Sequence, residues 1–374
     1  KVRNVWTPQP YRTRFRVMIA TKLRDPNMKK INTIGVDLAK NVIQVSVLSP
    51  SNKELQNKEL SRAKFASFLA NQKPSLVAFE ACGSAHHWAR TARKYGHHIK
   101  ILPAKTVASF RQGHKTDKND ALAVAESANR PNIKEAPLKE IEQQGMQSVQ
   151  RSRQLLIHDR VALSNHIRGL LMEFGVIIPQ GFSALYKAIP LALEDGENEL
   201  PDMYRPTLNL LYQRLCNLKS DIEFLDAQIE SLVKQNLACK SLMDLEGVGP
   251  ISAVLLFSTL GSGEAFKNGR EFSAYIGLTP KQHSSGGKAK MIGISKVVAN
   301  KRLRSVLIQG ARAYVHKIKE PKSLKDKWIL ALIQRAGYGR AAVALANKNV
   351  RTAWALLTTG NSYQKEVLTE AMTA

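Results

Sequence analysis

From Leu208, apolar residues recur at Leu211, Leu215, Leu218, Ile222, Leu225, Ile229 and Leu232, at steps alternating between three and four. Only an α-helix brings such a series onto one side, so the segment reads as a long helix with a narrow apolar stripe. It is a coiled-coil seam about four heptads long. Upstream, Val149, Leu156, Leu163 and Leu170 repeat every seven residues, with Ile167 and Phe174 at alternate positions, and predict a second long helix. Gly175–Pro206, with Pro179, Pro190, Pro201 and Pro206, reads as an interruption between the two. The helices can pack on each other as an antiparallel hairpin or offer the seam to a second copy. The sequence leaves both open.

Before residue 140 the periodicity is different. Ile31–Asp37 reads as a buried strand, Val42–Leu48 as a half-buried one, and Lys53–Leu60 completes a meander. Then follow a helix over Ala63–Ala70, a strand at Leu76–Phe79, a helix over His86–Tyr95 and a strand at His98–Leu102. Asp117–Ala128 is a helix entered through Thr116, a good N-cap. Three hairpin strands followed by alternating helices and strands describe an RNase H-like mixed sheet. The expected fold class is therefore α/β plus α.

The chain of 374 residues carries 56 Lys and Arg against 30 Asp and Glu, a formal charge of +26. Such a chain meets phosphate, and nucleic acid is the first partner to consider. From Phe272 to Lys319 there is no Asp or Glu. A stretch of one sign that long points to a polyanion surface. No run of 18 apolar residues exists, which argues against a membrane span. Cys82, Cys216 and Cys239 are far apart, form no CxxC pair and argue against both a zinc finger and a disulfide scaffold. Their use fits a reducing cytoplasm. Residues 1–27 are Arg-rich and acid-poor, and Met28 is followed by Lys-Lys and a clean strand, so 1–27 reads as an upstream extension.

Four acids stand out. Asp37 ends the first strand in Ile-Gly-Val-Asp, and Glu80 ends a later one in Val-Ala-Phe-Glu. Asp117 and Asp120, three apart, share one face of a helix's first turn. In this topology they can converge at one sheet edge. Four carboxylates around one point repel one another unless divalent cations neutralise them. Hard oxygen ligands suit magnesium or manganese, Mg2+ or Mn2+. Further on, Leu245-Glu-Gly-Val-Gly-Pro leads into an apolar helix, a helix-hairpin-helix-like pattern. There Gly247 and Gly249 let backbone amides approach a phosphate. A plain tight turn is the other reading. Ser284-Ser285-Gly286-Gly287 by itself reads as a flexible loop.

Several motifs carry a resemblance: Gly35-Val-Asp-Leu-Ala-Lys40, Glu80-Ala-Cys-Gly-Ser84, His114-Lys-Thr-Asp-Lys-Asn-Asp-Ala121, Gly247-Val-Gly249, Gly277-Leu-Thr-Pro280, Ser285-Gly-Gly287 and Gly293-Ile-Ser-Lys296. From about Met28 to Leu357 the chain resembles the DEDD-type transposases of insertion-sequence family 110, 1111 subgroup. The likeness implies a RuvC-like domain with Asp37, Glu80, Asp117 and Asp120 as catalytic metal ligands. It also implies a C-terminal transposase domain with Ser285 as nucleophile. Partners implied are donor and target double-stranded DNA, an element-encoded guide or bridge RNA, and further copies of the chain in a dimer or tetramer. No membrane is involved, and the implied place is the bacterial cytoplasm at the nucleoid. One departure is Ile294-Ser-Lys-Val-Val-Ala-Asn-Lys-Arg-Leu-Arg304, a residue longer than the family pattern and without its glycine.

The expected organisation is an extension at 1–27, a RuvC-like domain at 28–137, coiled-coil helices at 138–240, a helical transposase domain at 241–362 and a tail at 363–374. Nucleic-acid contacts are expected from Lys288, Lys290, Lys296, Lys301, Arg302 and Arg304, with Gly247 and Gly249. The expected chemistry is transesterification through a phosphoserine. The alternatives are a RuvC-like junction nuclease using water and a nucleic-acid-binding relic without activity.

Overall fold

The computed structural model describes residues 31–285, 288–294 and 300–365, with the backbone alone at 285 and 288–290. It divides into two compact units at Ala136/Pro137. The first holds β1 (Thr33–Leu38), β2 (Val42–Leu48), β3 (Glu54–Ser61), α1 (Arg62–Asn71), β4 (Leu76–Glu80), α2 (Ala85–Lys94), β5 (His98–Leu102), α3 (Ala104–Ala108) and α4 (Asp117–Ala128). These five strands form one sheet in the order β3-β2-β1-β4-β5. β1–β2 and β2–β3 pair antiparallel, and β1–β4 and β4–β5 pair parallel. It is the mixed sheet expected from the order of elements.

The chemistry of the strands explains the layers. Ile34, Val36, Ile43, Val45, Val77 and Phe79 are buried on one face, and Thr33, Ser46, Leu48, Leu76 and Ala78 on the other, so the central strands are covered on both faces. β3, rich in Glu, Gln, Asn and Lys, is the exposed edge, and its charges discourage pairing with another chain. α4 begins at Thr116, whose hydroxyl accepts from the Asn119 amide. It lies directly on β1 because Gly35 has no side chain: a Cβ there would stand 2.3 Å from the Ala121 carbonyl oxygen and 2.4 Å from the Ala125 nitrogen.

The second unit holds α5 (Ile141–Glu173), α6 (Phe182–Glu194), α7 (Arg205–Gln235), α8 (Leu237–Leu242), α9 (Pro250–Leu260), α10 (Gly269–Ile276), β6 (Pro280–Ser285), β7 (Lys288–Ile294), α11 (Lys301–Lys317), α12 (Leu324–Ala336) and α13 (Tyr338–Thr359). α5 and α7 run antiparallel. Ile167 and Leu171 share an apolar cluster with Leu208 and Leu215, while Met146 shares another with Ile229 and Val233. Between these ends Arg153 clasps Asp226 through both carboxylate oxygens, with Nη2 to Oδ2 at 3.0 Å. The stripe predicted from Leu208 thus packs within the chain, every member buried or half-buried.

Two expectations are corrected. The proline-bearing interruption contains α6, with Pro190 inside it. A proline leaves the carbonyl four residues earlier without its helical donor. Here that carbonyl belongs to Tyr186 and receives the Tyr212 hydroxyl from α7 at 3.4 Å. The flexible loop expected around Ser284 and Ser285 is instead part of a β-hairpin, β6 pairing antiparallel with β7. Among the described residues no helix is long and apolar enough to cross a membrane.

Candidate active site

The parallel pairing of β1 with β4 sets the first two acids side by side. The last paired rung is Val36–Phe79, and the next residue on each strand is Asp37 and Glu80. α4, seated on Gly35, brings Asp117 and Asp120 in its first turn to the same edge. A helix start favours negative charge, so these two positions suit carboxylates. The group is electrostatically coupled. Burial, with the charges of Asp117, Asp120 and Glu80, pushes the Asp37 carboxyl up to about 6, against the opposing pull of the Leu38 amide. Arg111 donates from Nη1 to Asp120 Oδ1 at 3.0 Å and neutralises one member.

Among the described residues no three His, Cys, Asp or Glu side chains stand close enough to hold one ion in this arrangement. The donor set nevertheless fits a hard divalent cation. It is all carboxylate, it lies at one strand edge, and its mutual repulsion is what a cation relieves. Cys82, two residues past Glu80, is pushed up to about 11 by burial and by Glu80 and Asp37, so it is a neutral thiol and not a ligand-ready thiolate.

In the second unit, Ser285 closes β6 and is in register with Lys288, the first residue of β7; Lys290 is in register with His283. The side chains of Ser285, Lys288 and Lys290, and all of Lys296, lie outside the described residues. Of the remaining basic candidates, Lys301 is exposed at the start of α11. Arg302 is half-buried; its Nε has no hydrogen-bond partner among the described residues, and burial beside Arg153 lowers its affinity for a proton. Arg304 donates to the Gly277 carbonyl at 3.4 Å, at the end of α10. Gly247, at φ +79°, lies against α11, where an added Cβ would meet the Gly310 carbonyl oxygen at 2.5 Å. Gly249 is the N-cap of α9, with open space where a Cβ would be.

Residues 34–175 match a DEDD transposase family, and residues 239–326 match a family described as transposase IS116/IS110/IS902. The transposase for insertion sequence element IS1111A of Coxiella burnetii is 38% identical over 343 residues, covering 92% of this chain and 94% of that one. A probable family 20 transposase of Pseudomonas aeruginosa is 38% identical over 335 residues, 89% and 99% of the two chains. The transposase for IS1328 of Yersinia enterocolitica is 32% identical over 338 residues, 90% and 100%. The chain belongs to the IS116/IS110/IS902 transposase family. Membership implies a DNA-processing enzyme that cuts and rejoins its substrate. For this transposase the family match from residue 34 takes in all four acids.

Two features of the transposase escaped sequence reasoning. Arg111 is nine residues from Asp120 and precedes the motif that holds it, so its pairing follows only from the turn between α3 and α4. The second is a buried network. Lys325 donates to Glu246 Oε2, to Asn349 Oδ1 at 3.1 Å and to the Tyr363 hydroxyl at 3.2 Å. Asn349 donates to the Glu246 carbonyl at 2.7 Å, and Tyr314 to Asp326 Oδ1 at 2.8 Å. It ties the Gly247 turn to α12, α13 and the segment beyond. The only sequence signal was Glu246 inside an otherwise apolar motif.

Proposed function

We propose that this transposase cuts and rejoins double-stranded donor and target DNA by transesterification through a phosphoserine at Ser285. The Ser285 hydroxyl attacks phosphorus, its proton leaves, the bond from phosphorus to the leaving sugar oxygen breaks, and that oxygen takes up a proton. The P–O bond retained on serine preserves the energy needed to rejoin strands. The reading is supported by the approach of Asp37, Glu80, Asp117 and Asp120 to one sheet edge, near enough for the other three charges to help raise the Asp37 carboxyl to about 6. Those four residues would hold Mg2+ or Mn2+, which supplies positive charge to the phosphate and leaving oxygens.

The same reading takes 28–137 as a RuvC-like domain, 138–240 as coiled-coil helices and 241–362 as the transposase domain, with 363–374 as a tail. Lys288, Lys290, Lys296, Lys301, Arg302 and Arg304 contact the backbone with Gly247 and Gly249. A guide RNA selects the DNA, and a dimer or tetramer works at the nucleoid. The test is a denaturing gel of protein with labelled DNA, Mg2+ and any RNA that copurifies, followed by mass spectrometry. Ser285→Ala loses the covalent adduct and keeps DNA binding, and Asp37→Asn loses strand exchange while staying folded. An adduct on another residue, or strand exchange by Ser285→Ala, overturns the nucleophile. Full activity in excess EDTA overturns the metal site. Copurified RNA with no element sequence overturns the guide.

A further inference from the structure

The second unit contains a large cleft of about 1640 Å3, bounded by the β6–β7 hairpin, α10, α12 and α13. It exceeds the roughly 300–1,000 Å3 of a small-molecule pocket and suits a length of polymer. Arg270, Arg340, Lys348 and Arg351 line it, and among the described residues no Asp or Glu does. All four are exposed, and among the described residues none is paired with a carboxylate. Arg340, Lys348 and Arg351 fall on one side of α13, so the cations run along the cleft over roughly 16 Å, at 1.5 Å per residue.

The cleft also offers a ring. Trp328 on α12 is 36% exposed, and the Lys348 ammonium lies 5.0 Å from its ring centroid. Met291 and Ile292 of β7, which also line the cleft, are exposed apolar side chains, 64% and 50% accessible. The floor is set by Gly269, where α10 comes so close to α13 that a Cβ would meet the Arg351 carbonyl oxygen at 2.8 Å. A row of cations beside a partly exposed indole, one of them over the ring, and apolar side chains is the chemistry of a track for unpaired nucleotides: charge for the backbone, an aromatic surface for a base. A duplex hides its base faces in the stack and has no use for the ring.

We propose that this cleft binds a single strand of DNA, with Arg340, Lys348 and Arg351 along its phosphates and a base on Trp328. The proposal rests on the reading that the transposase handles DNA strands, but not on the nucleophile or the acidic site. The experiment uses the full chain and fluorescence anisotropy of a labelled single-stranded oligonucleotide. The same sequence as duplex and as RNA is measured alongside, over a range of salt, without cleavage.

Trp328→Ala should weaken single-strand binding about ten-fold while Trp328→Phe keeps most of it. The triple variant Arg340→Gln, Lys348→Gln, Arg351→Gln should make the slope of log affinity against log salt shallower by about two, three phosphates at about 0.7 each. The binding is measured in EDTA, without divalent cation, which separates this cleft from the acidic site. Melting curves confirm that each variant is folded; the charge variants are at exposed positions and keep the test open if Trp328→Ala unfolds. A loss of duplex or RNA affinity in Trp328→Ala and the triple variant as large as the loss of single-strand affinity, or an unchanged single-strand slope in the triple variant, overturns the proposal.

Discussion

Replacing Gly35 with alanine tests whether the seating of α4 on β1 sets the acidic site. The new Cβ would be 2.3 Å from the Ala121 carbonyl oxygen, 2.4 Å from the Ala125 nitrogen and 2.6 Å from the Ala125 Cβ. Ordinary contact begins at 3.4 Å, so the helix and strand must part by about 1.1 Å, the difference of 3.4 and 2.3. Two of the three opposing atoms are backbone and cannot rotate aside. Overpacking of this kind costs about 1–3 kcal/mol, and this case belongs at the upper end. The displaced element carries Asp117 and Asp120 and the other carries Asp37, so the carboxylates separate with them. A shift near 1 Å at a catalytic geometry is worth about a hundred-fold in rate. Urea unfolding followed by circular dichroism gives the stability, and strand exchange in Mg2+ gives the rate, both where the variant is folded. Parental stability would refute the packing argument. A rate that falls only with the folded fraction would refute the link between packing and site.

Asp37 predicts a pH dependence. Its folded pKa of about 6 is above the ordinary 3.8, so its protonated form favours the fold. That contribution is fully present below about pH 4 and is lost as the pH rises through about 6. Asp37→Asn should therefore gain on the parent in urea midpoint between pH 4 and 7 in EDTA; a constant difference would contradict it. Lys325→Met leaves Glu246 as a buried charge without its cation and should cost about 3–5 kcal/mol, with Glu246→Gln in the same chain restoring much of it. Thermal melts decide, and equal melting of the single and double variants would count against the network.

The first unit was legible because its strands are short, apolar and bounded by turns. Val42–Leu48 and His98–Leu102 have the ends that their patterns predict. α3 was missed because five residues after Pro103 carry too little periodicity to register. β6 was missed for another reason: Lys281-Gln-His-Ser-Ser has no apolar alternation, and its exposed face needs none. The Gly286-Gly287 pair between the two strands was a usable sign, since two-residue hairpin connections favour such residues. For the acidic site, the strand ends gave Asp37 and Glu80 and the N-cap gave Asp117 and Asp120. The grip of Arg111 on Asp120, and the gathering of four cations into a cleft from α10 and α13, depend on tertiary approach and leave no periodic trace.

The paired helices α5 and α7 have a mechanical consequence. α5 alone is 33 residues, roughly 50 Å at 1.5 Å per residue. Its early turns are fixed in the cluster around α9, and its late turns in the cluster around α6. With α7 alongside and the Arg153–Asp226 clasp between, the pair behaves as a boom anchored at its base. Over that length a tilt of roughly 5° at the base swings the tip by about 4 Å. A side-chain rearrangement around α9 that tilted the pair would therefore be enlarged at the α6 end into a displacement of several ångströms.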